Sequence, residues 1–199
     1  MRFSGHETFP LRYAWLPRAT TMLDDDRRAL NDDEEALTTL GIGRNMLKAL
    51  RFWIVATGVA RRHEDGGFTH TPFGRAVFGP GGYDPYLEDR RTLWLMHWYL
   101  CTCQGSPIFA WHHLMFEMAA SEFTPSQLLA TFLRESSRHG RQRSSTTVKQ
   151  HIDIFLHSYL PSGRGPRSVK EDVLDCPFID LELVQVIGER KSSSGRRER

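Results

Sequence analysis

LGIGRNMLKALRFWIVATGV, residues Leu40 to Val59, reads as a tight turn followed by a helix with two unlike faces. Gly41-Ile42-Gly43 breaks one helix, Arg44 to about Thr57 forms the next, and Gly58 supplies a C-terminal stop. On a wheel of about 100° per residue, Leu47, Leu50, Trp53 and Ile54 share one side. Arg44, Lys48 and Arg51 follow i, i+4, i+7 spacing on nearly the opposite side, flanked by Asn45 and Phe52. A helix packed by one face and basic on the other is suited to the major groove. Arg and Asn can read base edges there, and Lys can neutralise phosphate. A merely solvated basic face, or a dimerisation or peptide-binding module, would use the same pattern.

The flanks place this helix in a larger unit. Upstream, Asp33 to Leu40 reads as a short helix. Downstream, Val59 to His63 and Phe68 to Thr71 read as strands joined by the turn signal Glu64-Asp65-Gly66-Gly67. Thr71-Pro72 is an N-cap and first helical position for a further short helix. Helix, glycine turn, helix and two-stranded ribbon is the order of a winged helix-turn-helix. Beyond the link GPGGY, Asp84-Pro85 signals a helix start, with Glu88 and Asp89 in its first turn. From Thr92 this helix is apolar on every side, which predicts a central, buried element. Further helices are expected at about Phe109 to Ala119, Pro125 to Ser136 and Thr146 to Leu160. After Pro161 the chain loosens and then offers one apolar stretch, Phe178 to Ile187, without an evident partner. The expectation is a mainly α protein, a winged helix-turn-helix followed by a helical bundle. Residues 1–80 hold the N-terminal segment and the winged unit, and 81–161 the helical domain. Residues 162–199 form a linker and the start of a C-terminal part that continues beyond this chain.

With 199 residues, 40% apolar and 11% aromatic, the chain can bury a real core, and disorder over most of its length is excluded. The net charge of +2 selects no partner, but the charge is unevenly placed. Acidic residues crowd Asp24 to Glu35, while basic ones gather at Arg44 to Arg62, at Arg134 to Arg143 and in the tail. Three cysteines, an odd number without a disulfide ladder, fit a reducing cytoplasm. The most apolar run, Thr92 to Cys103, is well short of the roughly 20 residues that span a bilayer, so no membrane partner is expected.

Three groups of residues could carry chemistry. The opening stretch FSGHETFPLRYAWLP sets His6, Glu7 and Arg12 among Phe3, Phe9, Tyr13 and Trp15, rings expected to dock the segment against the core. His6 could move a proton, and Glu7 could take part or simply pair with Arg12 to pin the segment. Asp84, Glu88 and Asp89 could hold a divalent cation, Mg²⁺ or Mn²⁺, for phosphodiester cleavage, or could only cap a helix. Cys101 and Cys103, with His97, His112 and His113 nearby, invite a zinc reading. Their spacing fits no common zinc pattern, and buried structural roles are favoured. No Walker loop, G-x-S-x-G, HExxH or clear D…(D/E)xK nuclease core is present.

Three blocks in order, FSGHETFPLRYAWLPRA, LGIGRNMLKALRFWIVATGV and DPYLEDRRTLWLMHWYL, resemble the SspB-type proteins, a family long catalogued as a domain of unknown function. The resemblance spans about Phe3 to Ile187. It covers His6, Glu7, Arg12 and Trp15, then Gly41, Gly43, Asn45, Met46, Arg51 and Trp53, then Asp84, Tyr86, Glu88 and His97. It implies a nickase component of a bacterial DNA phosphorothioate modification and defence system. Such a protein would bind double-stranded DNA and act as a nicking endonuclease. Its partners would be a cysteine desulfurase, an ATPase and a sulfurtransferase-like enzyme. The alternative, of another class, is a non-catalytic DNA-binding adaptor that recruits the sulfur-transfer enzymes. The resemblance does not say which residue is catalytic; His6, Glu7 and Arg12 are the candidates, with Arg44, Asn45, Lys48 and Arg51 for DNA.

Overall fold

The computed structural model describes residues 2–31, 33–103, 107–138, 143–161, 176–188, 190–191 and 197–198. The fold is mainly helical. Helix α1 (Trp15–Asp25) is followed by α2 (Asp33–Leu40) and α3 (Arg44–Ala56), then a ribbon of β1 (Ala60–Arg62) and β2 (Phe68–His70). The two strands are antiparallel, with Arg61 opposite Thr69. Helices α4 (Pro72–Phe78), α5 (Arg90–Thr102), α6 (Phe109–His112), α7 (Pro125–Arg138) and α8 (Ser145–Tyr159) complete the frame, with a 3₁₀ turn at Pro177–Leu181. A two-residue pairing joins Arg190–Lys191 to Arg197–Glu198.

The turn before α3 forms as its glycines require. Gly41 has φ +65°, which leaves its N–H free to bond the Leu37 carbonyl at 2.9 Å and close the α2 end. Extended Gly43 caps α3 without a side chain. Thr71 caps α4 as its spacing predicts, its hydroxyl accepting from the Gly74 amide at 2.9 Å, with Pro72 next in line. Thr124 likewise accepts the amide of Gln127 at the start of α7.

α1 has no side-chain cap that separates it from the opening aromatic stretch, and although Pro17 stands in its first turn, the sequence reading does not predict it. Its buried face is Trp15, Leu16, Ala19, Thr20 and Leu23. The 3.6-residue spacing is present but lies between the acidic run and the rings. It packs against α3, α4 and β2 and holds them together.

Three expectations are corrected. The chain from Asp84 to Asp89 is a loop, and α5 begins only at Arg90 with Asp89 as its N-cap. Asp84 folds this loop back: its two carboxylate oxygens accept the amides of Glu88 at 2.7 Å and Asp89 at 3.1 Å. Backbone donors bonded to a side chain this way cannot enter a helical ladder. Second, α5 is not buried all round. Leu93, Met96, His97, Leu100 and Cys101 face the core. Trp94, Leu95, Trp98 and Tyr99 stand on the other face, with Trp98 60% exposed. Composition could not separate the two faces, because both are apolar. Third, Phe178 has a partner. It is fully buried and stacks on Tyr159 at 5.9 Å between ring centroids. Of its large apolar residues, Val186 and Ile187 at the end are exposed. Most of the expected linker, 162–175, lies outside the described residues.

Candidate nucleic-acid interface

α3 presents the basic stripe as its periodicity demands, with one change. Leu47, Ala49, Leu50, Trp53 and Ile54 are buried, and Arg44, Asn45 and Lys48 are exposed. Arg51 is half-buried instead. Its Nε donates to the Leu30 carbonyl at 2.5 Å and so fastens α3 to the loop before α2. The wheel gave the correct side for Arg51, but a long side chain at the middle of a packed helix folded back onto a carbonyl 21 residues away. The exposed stripe is therefore Arg44, Asn45 and Lys48.

The ribbon after α3 is held at its tip. Asp65 pairs with Arg27 and, at 3.6 Å, with Arg28, and its Oδ1 accepts the Gly67 amide at 3.1 Å. The Gly67 amide is the main influence that holds the Asp65 carboxyl below the usual carboxylate range, helped by the two guanidinium groups. Part of the basic and acidic unevenness of residues 24–65 is thus used internally.

The opening segment docks by its rings, as expected. Phe3 stacks on Phe109 at 4.2 Å, and Arg2 pairs by backbone with Pro107 and Phe109. The Trp53 indole donates to the Phe9 carbonyl at 2.9 Å, which fixes the segment to α3. Between these anchors the chain turns sharply. Gly5, Glu7 and Thr8 all have positive φ, at +116°, +47° and +63°. For Glu7 and Thr8 this is a strained, left-handed conformation of about 1 to 3 kcal/mol each. The turn splits the three candidates. His6 is only 4% exposed, Glu7 is exposed, and Arg12 is half-buried over the Trp15 ring at 5.8 Å. Glu7 and Arg12 form no ion pair, so the pinning expected of that pair comes from rings and backbone.

His6 has a partner that no local pattern could reveal. Its Nε2 lies 3.2 Å from Nδ1 of His151 in α8, 145 residues away. The Ala110 amide donates to Nε2 of His151 at 3.0 Å. Nε2 must therefore accept, the proton of neutral His151 sits on Nδ1, and it is donated to His6 Nε2. The proton of His6 is left on Nδ1, which is buried without a hydrogen-bond partner. Burial lowers the His6 pKa to about 4. Burial, and then the neighbouring His6, lower His151 to about 3. Both rings are neutral at pH 7.

The acidic loop does not converge on a cation. Asp84 is buried and its oxygens accept two backbone amides. Asp89 caps α5 and pairs with Arg91, whose side chain and then amide hold its carboxyl below the ordinary range. Glu88 alone is exposed and uncommitted to a partner. Among the described residues no three His, Cys, Asp or Glu side chains are grouped to hold a metal ion. These carboxylates, as arranged, do not fit a magnesium cage.

The cysteine and histidine cluster is structural in its contacts. His97 Nδ1 lies 2.6 Å from the Tyr159 hydroxyl, and its ring packs beside the Cys101 sulfur. Burial lowers His97 to about 4 and raises the Cys101 thiol to about 12. A π-helical turn at His113–Glu117 follows α6 and brings His112 and His113 onto one carboxylate, Glu117, at 3.5 and 2.6 Å.

This mainly helical chain, with its basic α3 and ringed N-terminal segment, belongs to the family described as protein of unknown function DUF4007, whose family model matches residues 3–199. It is an SspB-like protein. It is similar to the magnesium ion-bound SspB crystal structure, with 28% identity and a TM-score of 0.83, and to a second SspB crystal structure, with 27% identity and a TM-score of 0.78. Each comparison covers 98% of this chain and 58% of the other, so the chain spans a little over half the length of the SspB structures. No curated protein matches it. No helix among the described residues is long and apolar enough to cross a membrane.

Proposed function

We infer that this chain engages double-stranded DNA through α3 and serves a DNA phosphorothioate modification system, where it supports single-strand nicking. The observation that carries the reading is the α3 face of Arg44, Asn45 and Lys48, exposed opposite a fully buried one. α2, the glycine turn, α3 and the β1–β2 ribbon form the winged helix-turn-helix of this reading, and α3 enters the major groove. Residues 1–80 carry the DNA contact in this division, 81–161 the helical support, and 162–199 lead to a further part. Similarity to SspB supports the system and its other members, a cysteine desulfurase, an ATPase and a sulfurtransferase-like enzyme. The odd cysteine count, without a disulfide ladder, supports a reducing, cytoplasmic setting.

Within the opening segment, Glu7 is the catalytic candidate that this reading favours. It is exposed, and strain is concentrated on it and Thr8. His6 is a positioning residue, because its Nε2 is committed to His151 and its ring is buried. Arg12, beside the same turn, adds positive charge next to the Trp15 ring. A Mg²⁺ or Mn²⁺ requirement belongs to this reading on the strength of the magnesium-bound relative, and the described carboxylates assign it no cage.

The second reading, a DNA-binding adaptor without catalysis, is favoured by the apolar face of Trp94, Leu95, Trp98 and Tyr99, which suits a protein contact better than chemistry. Relaxation of supercoiled plasmid with Mg²⁺ or Mn²⁺ separates the two. Conversion to open circles supports nicking by this chain, and DNA binding without conversion supports the adaptor.

A further inference from the structure

We propose that the open groove between α1 and the loop before α5 takes one unstacked nucleobase of the bound DNA. This rests on the DNA reading above and goes beyond it, because a major-groove helix needs only paired bases. The groove holds about 480 Å³ and is lined by Tyr13, Pro17, Arg18, Phe78, Pro85 and Tyr86 among others, with no acidic side chain. Its chemistry is aromatic and cationic. Rings stack on a base face regardless of sequence, and an exposed guanidinium meets the phosphate that accompanies the base.

Tyr86 is 74% exposed, on a loop pinned from within by Asp84. Tyr86 and a second ring, Tyr13, both line the groove, and rings so placed offer a base a face to stack on. Tyr13 is itself fixed, since its hydroxyl donates to Asp180.

The placement connects this slot to α3. Arg18 lines the groove, and its Nη2 donates to the Thr39 carbonyl at 2.7 Å. Thr39 lies in the last turn of α2, just before the Gly41–Gly43 turn that leads into Arg44. A strand whose phosphates are met by Arg44 and Lys48 thus has the groove beside it. An unstacked nucleotide there distorts the adjacent backbone, which can present one phosphodiester to a nicking reaction.

The test uses the full chain and two short duplexes, one fully paired and one with a single extrahelical aminopurine nucleotide. The bulged duplex binds about tenfold more tightly, the scale of one base stacked on an aromatic ring, and aminopurine fluorescence is quenched. Tyr86→Ala abolishes the preference and the quenching while affinity for the paired duplex is unchanged. Tyr86→Phe retains both, since stacking needs the ring and not the hydroxyl. Equal affinity of the natural chain for both duplexes, or a preference that survives Tyr86→Ala, overturns the groove and leaves the α3 reading standing. Failure to bind either duplex overturns both.

Discussion

His6 and His151 face each other at 3.2 Å in the interior, with the Ala110 amide holding the second ring from behind. The pair is stable only while both rings are neutral. Their folded pKa values, about 4 and about 3, lie below the unfolded value of about 6.5. Below that value the unfolded chain takes up protons that the folded chain refuses. Stability is therefore fully present above pH ~6.5 and falls as pH drops toward 4, by up to about 1.4 kcal/mol per pH unit for each ring. Urea melts at about pH 7 and pH 5 check this, and His6→Phe removes part of the slope. Equal stability at both pH values contradicts the neutral pair.

The turn at Gly5 to Thr8 separates strain from packing. Gly5→Ala destabilises by more than about 1 kcal/mol, because φ is +116° and the new Cβ lies 2.6 Å from the Phe52 ring. Glu7→Gly relieves a left-handed residue but adds unfolded-state freedom, so stability is unchanged or rises by up to about 1 kcal/mol. Nicking falls in the same variant. Thermal melts beside the plasmid assay decide, and a Glu7→Gly protein with full nicking sinks the role given to Glu7.

Asp84→Ala leaves two amides without their acceptors and lowers stability by about 2 kcal/mol. Glu88→Gln, on an exposed side chain, changes stability by less than about 0.5 kcal/mol. If the loop only shapes the entry to α5, Glu88→Gln also leaves nicking intact. Loss of nicking in a fully stable Glu88→Gln protein would show that this carboxylate acts in cleavage.

Arg51→Ala lowers stability by about 1 kcal/mol, because the buried Leu30 carbonyl loses its donor. Chemical denaturation measures it. A neutral effect on stability, with a loss of DNA affinity, returns Arg51 to the exposed stripe.

What could be read from the sequence was local. Gly41, Gly58 and Thr71-Pro72 marked boundaries because each acts through backbone within a few residues. The α3 faces were legible because one was apolar and the other basic. α5 was not, since Trp94 and Trp98 are as apolar as Leu93 and Leu100, and only packing sorts them. Asp84-Pro85 misled because an Asp-Pro pair serves a loop as well as a helix start. At the candidate site, the aromatic docking of Phe3 and Trp15 was legible from ring density. The His6–His151 pair was not, since it joins residues 145 positions apart without a motif.

The central claim, that α3 meets DNA, is tested most directly by the salt dependence of duplex affinity for the natural chain and an Arg44→Ala/Lys48→Ala variant. Both side chains are exposed, so the variant keeps its fold. Each lost phosphate contact removes about 0.9 from the log–log slope. The account predicts a weaker complex whose slope is shallower by nearly two units, with melting temperature unchanged. A variant that binds with the natural affinity and the natural slope contradicts it.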